Sequence, residues 1–212
     1  MQLVAHTAAL YGTARRRIDY IETLLPTKMV GFDRALDRDV AFVTVELLNT
    51  WARFSRTLYF SVCRGVRDSA GSRVLTSMDL RDFDAAQRFA SQRFRNHPLP
   101  AGPLNHRHEP NWLDPNILQT LLNDIGATNS ATVNSALSVS TRVFQDLPSI
   151  RNFYGHRGAD TARKAKNVAR NYMTSPSLHP TELCLTFAPG RAQSILRDWV
   201  YDLRSIMRLA VA

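Results

Sequence analysis

The sequence predicts an all-α protein, a bundle of about six to eight helices. Three observations carry that expectation. Apolar residues recur at three- and four-residue steps along most of the chain. One stretch, 33–63, is apolar along two rows, as a helix at the centre of a bundle would be. Only one short segment, 182–187 (Glu-Leu-Cys-Leu-Thr-Phe), has a composition that reads as β, so the fold carries at most one short strand.

The elements follow in order. In 4–25, Leu10, Ala14, Ile18, Ile21 and Leu25 form a helical stripe that Pro26 ends. Arg15, Arg16 and Arg17 lie on its polar side, as a solvated face or an RNA contact. In 33–63, Leu36, Val40, Val43, Leu47, Trp51, Phe54, Leu58 and Val62 make one apolar row, and Ala41, Val45, Leu48 and Tyr59 a second. Glu46, Asn49 and Arg53 share a polar stripe on this helix. That stripe is either an outer face or the lining of a cleft that orients functional groups elsewhere. A Gly-, Ser- and Arg-rich loop spans 64–77, and 79–94 is a helix with Leu80, Phe83, Ala86, Ala90 and Phe94 inward.

The segment 96–112 holds four prolines and is a long loop. His106, His108 and Glu109 within it make half a metal site with no second half in view. Asp114-Pro115 is a helix start with the proline at N1, and Gly126 is the matching stop. The next helix runs 130–147, where Pro148 interrupts it and Ser149 caps a new one. Asp160 or Thr161 caps a basic helix reaching to 173, and 191–211 is a closing amphipathic helix with Ile195, Trp199, Leu203, Ile206 and Ala210 on one stripe.

At 212 residues the chain has the length of one domain. Its net charge is +9, and 24 Arg against three Lys supply the excess, which favours a polyanionic partner. Cys63 and Cys184 show no metal or redox spacing and fit a reducing, cytoplasmic setting. The first residues lack the basic and apolar regions of a secretion signal, and no stretch is long enough to span a membrane.

The densest chemistry lies in 148–158, Pro-Ser-Ile-Arg-Asn-Phe-Tyr-Gly-His-Arg-Gly. On a helix Asn152 and His156 share a face, whereas Arg151 and His156 are about 140° apart. One straight helix therefore cannot aim both at one phosphate. A bend at Gly155 or a second copy of the chain would be needed. The 151–156 segment resembles the Arg-x(4–6)-His signature of the HEPN superfamily, helical domains many of which are metal-independent ribonucleases of defence and toxin–antitoxin systems. Asn152 takes the place of the polar residue that follows the arginine in that pattern.

The resemblance implies an endoribonuclease that uses no cofactor and no metal. Such an enzyme directs the ribose 2′-OH at the adjacent phosphate and leaves a 2′,3′-cyclic phosphate. Imidazole titrates near neutrality, so His156 suits proton transfer. A guanidinium keeps its charge and binds two phosphate oxygens, so Arg151 suits the phosphorane. Asn152 is placed to hold the imidazole or the phosphate. Tyr154 would stack a base or bond a phosphate oxygen, and Glu46 and Asn49 would support the pair. Arg157, Arg163, Lys164, Lys166 and Arg170 follow, as the RNA grip or as a solvated basic face. The resemblance also implies a homodimer with two Arg–His sets on one cleft, and a regulatory or antitoxin protein as a further partner. The competing reading is a catalytically silent HEPN-like module that binds RNA or protein.

Overall fold

The computed structural model describes residues 6–25, 33–139 and 141–212. Nine helices stand among them: α1 (Thr7–Thr23), α2 (Arg34–Cys63), α3 (Phe83–Arg93), α4 (Pro115–Asp124), α5 (Ser130–Leu137), α6 (Val143–His156), α7 (Ala159–Asn171), α8 (Pro180–Leu185) and α9 (Ile195–Leu209). Outside them only isolated β-bridges occur among the described residues, so the chain is all-α. The expected start of the first helix at Val4, and Pro26 that was to end it, lie outside the described residues.

The chain divides into two compact units. One comprises the described residues of Met1–Arg15, Trp51–Val139 and Ile206–Ala212, the other those of Arg16–Thr50 and Ser140–Ser205. Helices α1, α2 and α9 each contribute residues to both.

The first unit is built on aromatic packing. Phe60 of α2 stacks on Phe83 of α3 with ring centroids 4.7 Å apart, and Trp112 lies 5.7 Å from Tyr59 and 6.1 Å from Phe60. Burial lifts the Tyr59 hydroxyl far above its ordinary range, and Tyr59 donates to the carbonyl of Ala86. Asp114 caps α4 by accepting from the Asn116 N–H, with Pro115 at the first turn. Gly126 takes φ +60° after it, where an added Cβ would stand 2.5 Å from the Ser77 hydroxyl. The long 94–114 loop is fastened rather than loose. Arg88 donates to the carbonyls of Pro100, Ala101 and Gly102. Glu109 is almost fully buried and accepts from Arg56 at 2.6 Å through both carboxylate oxygens, from Trp112 Nε1 at 2.8 Å and from Gln87 at 3.0 Å. Its carboxylate is thus committed inside the fold and not to His106 or His108.

The second unit holds the motif. Its core gathers Ile18, Ile21, Val40, Val43, Leu47, Leu147, Ile150, Trp199 and Leu203. Arg204 of α9 pairs with Asp19 and Glu22 of α1, and Asn171 at the end of α7 donates to Asp146 of α6.

Four sequence expectations are corrected. The 182–187 segment is helical through Leu185, not a strand. The Glu182 carboxylate accepts from the His179 N–H and the His179 imidazole accepts from the Thr181 N–H, a reciprocal cap, with Pro180 at N1. The expected 130–147 helix is two helices, α5 ending at Leu137 and α6 starting at Val143. Pro148 does not end a helix but lies inside α6. It removes one backbone bond, yet Val143, Leu147, Ile150 and Phe153 form a continuous buried stripe on both sides of it. Packing of that stripe outweighs the local penalty. The fourth correction is Phe94, expected inward, which caps α3 and is 39% exposed.

Candidate functional site

Helix α6 stays helical through Gly155 and His156 and ends with the Arg157 N–H donating to the Phe153 carbonyl at 2.8 Å. Gly155 therefore provides no break, and an added Cβ there would meet nothing within 4 Å. On this continuous helix the buried stripe faces the core, Asn152 and His156 are exposed, and Arg151 is half-buried. By helical geometry Arg151 and His156 flank the stripe on opposite sides, about 140° apart. Arg151 donates to the Asn152 amide oxygen at 3.2 Å. Within a single chain, Arg151 and His156 are not brought together.

The structure instead converges on a carboxylate. Asp37 of α2 is buried at 7% exposure. Its Oδ1 accepts from the Thr181 hydroxyl at 2.6 Å and its Oδ2 from the Arg157 guanidinium at 2.7 Å. His179 Nδ1 lies 4.0 Å away. Because Thr181 gives its proton to Asp37, Tyr154 donates to the Thr181 oxygen, at 2.8 Å. Arg157 lies over the rings of Phe153 and Tyr154, each 5.8 Å from the guanidinium carbon. Phe153 also meets His179 edge-on at 5.5 Å.

The electrostatics follow from these contacts. Burial is the largest influence on Asp37 and pushes its carboxyl up, but the Thr181 bond and the bond and charge of Arg157 outweigh it and hold the carboxyl below its ordinary value. Burial drives His179 below the ordinary imidazole value, against the opposing pull of Asp37 and Glu182. Burial raises the Tyr154 hydroxyl far above its usual range. Tyr154 is therefore an inward-facing hydrogen-bond donor whose hydroxyl is taken by Thr181.

Arg157, expected on RNA, is bound to Asp37, although its side chain keeps 53% exposure. Glu46 accepts from Arg17 and, at 3.1 Å, from Asn49; neither partner belongs to the motif. Arg17, from the basic run, also lies over Tyr20.

The basic helix begins immediately after the motif. Gly158 is its N-cap, and Thr161, expected as a cap, instead bonds back from the third position. Its buried side is Ala165, Val168 and Ala169, while Arg163, Lys164, Lys166, Asn167 and Arg170 are exposed. Asp160 pairs with Arg163 and Lys164 at 2.6 and 2.8 Å, which trims the positive field at the start of the helix.

Sequence reasoning missed Asp37, His179 and Thr181. The signal for Asp37 was a carboxylate three residues before Val40, on the apolar row of α2. The signal at His179 was His-Pro-Thr-Glu, a capping box with an uncommon first residue. Among the described residues no group of three or more His, Cys, Asp or Glu side chains is placed to hold a metal ion, and no helix is long and apolar enough to cross a membrane. No family model matches the chain, and no curated protein and no solved structure matches it significantly.

Proposed function

We propose that the protein is a metal-independent endoribonuclease of HEPN type that acts as a homodimer. The observation that carries this reading is one of placement: Asn152 and His156 stand exposed on α6, and α7, which carries the basic face, starts three residues after His156. The exposed imidazole would act beside phosphates gripped by Arg163, Lys164, Lys166 and Arg170. In the reaction, the ribose 2′-oxygen loses its proton and attacks the neighbouring phosphorus, and the bond to the 5′-oxygen breaks. The His156 imidazole takes the proton from the 2′-oxygen and gives a proton to the leaving 5′-oxygen, and Arg151 faces the charge that builds on the phosphorane oxygens. Since α6 is continuous, Arg151 and His156 would meet on one phosphate through two chains, each supplying one member of a pair. A cytoplasmic effector of a phage-defence or toxin–antitoxin system, restrained by a regulatory or antitoxin protein, is the setting this activity suits.

The angle between Arg151 and His156 within one chain favours a second reading, a silent module that binds RNA or protein through the α7 face. Incubation with total RNA, with and without EDTA and beside a His156→Ala control, separates the two. The enzyme gives EDTA-resistant cleavage with 2′,3′-cyclic phosphate and 5′-hydroxyl ends, lost in the control. The silent module shifts RNA in a gel and leaves it whole.

A further inference from the structure

We infer that Asp37 is a positioning residue for His156, acting through Arg157; the inference rests on the ribonuclease reading above. The starting point is the turn that follows the histidine. Arg157 adopts φ +40°, in the left-handed region, which side-chain-bearing residues avoid because Cβ crowds the carbonyl oxygen. Helices commonly place glycine at this position. The chain has a glycine one residue later, but Gly158 is extended at φ −87°. A turn built only to stop α6 would have the two residues the other way round.

The side chain at 157 explains the choice. Its guanidinium reaches Asp37 at 2.7 Å and covers Phe153 and Tyr154. Asp37 is itself held, by Thr181 at 2.6 Å, and Thr181 takes the Tyr154 hydroxyl. The last turn of α6 is thus fixed at three points: Phe153 against His179, Tyr154 on Thr181 and Arg157 on Asp37. His156 lies between the second and third. It is exposed, so its direction is set by the backbone on which it stands. That backbone is held by Asp37 through an arginine in a left-handed turn, where a glycine would carry less strain.

Two variants separate positioning from mere stability. Asp37→Asn keeps the shape and removes the charge. Arg157→Gly removes the clamp and relieves the φ, and that relief offsets part of the stability lost when Asp37 keeps only Thr181. Misplacing a proton-transfer group by about an ångström is enough to cost on the order of 10²-fold. Both variants are expected to lower kcat at saturating RNA by about 10- to 100-fold with KM unchanged. In both, the backbone amides at positions 157 and 158 should exchange their hydrogen at least ten times faster, as followed by NMR, while those of Ile150 and Leu147 stay as in wild type. Unchanged exchange in Asp37→Asn overturns the inference whatever the activity. Faster exchange with unchanged kcat overturns it too, because His156 would then be independent of the clamp. A rise in KM with kcat unchanged in Arg157→Gly alone makes Arg157 an RNA contact and overturns the inference. If the wild-type protein cuts no RNA, the ribonuclease reading fails separately, and the exchange rates alone decide whether Asp37 holds this turn.

Discussion

Glu109 and Asp37 are both almost fully buried carboxylates, each met by an arginine and by further hydrogen-bond donors. In both, burial pushes the carboxyl up and the partners bring it below its ordinary value. They differ in what they fasten. Glu109 takes two N–H groups of the Arg56 guanidinium, the Trp112 indole and Gln87, and pins the proline-rich loop. Asp37 takes a single arm of a half-exposed arginine, and that arginine adjoins His156. The difference teaches that a buried carboxylate does not mark a site by itself; what it holds does.

The sharpest break between the two regions is expected in catalysis. Replacing His156 or Arg151 with alanine should lower cleavage by on the order of 10²–10⁴. Glu109→Gln should leave the cleavage rate of the folded protein near wild type. Single-turnover rates with a defined RNA decide this, and equal losses in all three variants would mean that activity merely follows folding.

Stability should reverse the order. Glu109→Gln leaves Arg56 facing a partner that cannot balance it, at a cost of about 3 kcal/mol. His156→Ala, on an exposed side chain, should change stability by less than about 0.5 kcal/mol. Urea unfolding measures both.

Acid should probe the two carboxylates together. A carboxyl whose folded pKa lies below its unfolded value contributes stability that is present above the unfolded value and is lost as pH falls through the folded one. Asp37 and Glu109 both act in this sense, so melting temperature should fall below about pH 4. His179, lowered by burial, adds a loss that begins as pH drops through about 6.5, where the unfolded imidazole takes a proton first. Asp146 has the opposite sign: burial raises its carboxyl, so its contribution is lost as pH rises through its folded value. Melting curves of Asp37→Asn and Glu109→Gln should each show a shallower acid limb than wild type. An unaltered limb in either variant would remove that carboxylate from the account.

On the RNA grip, exchanging Arg163, Lys164, Lys166 and Arg170 for glutamine should flatten the dependence of log affinity on log salt. The slope should shrink by about 0.7 for each phosphate of a single strand that is no longer neutralised. A slope that does not move would place the RNA on a surface other than α7. The smallest effect is expected at Gly155→Ala, which fills open space within a helix and should stabilise by about 0.5–1 kcal/mol. Cleavage should be unchanged if two chains supply the Arg–His pair, and reduced if a bend at Gly155 supplies it.

Much of the fold was legible because helical stripes are a local property. Leu10, Ala14, Ile18, Ile21 and Leu25 are all buried, as are Ile195, Trp199, Leu203, Ile206 and Ala210. Asp114, Pro115 and Gly126 start and stop α4 by rules that need only neighbouring residues. The motif could be found for the same reason: Arg151, Asn152 and His156 lie within six residues.

The tertiary structure alone decided the rest, wherever a distant partner overrides a local preference. Pro148 should break a helix, but the stripe from Val143 to Phe153 buries itself across it. The 182–187 segment has strand-like composition, but the reciprocal cap of His179 and Glu182 starts a helix there. The joining of Asp37 to Arg157, 120 residues apart in sequence, depends on two helices packing and leaves no local trace. Periodicity and capping act over one or two turns and are written in the order of residues. The pairing of a buried charge depends on which surfaces meet, and this only the folded chain determines.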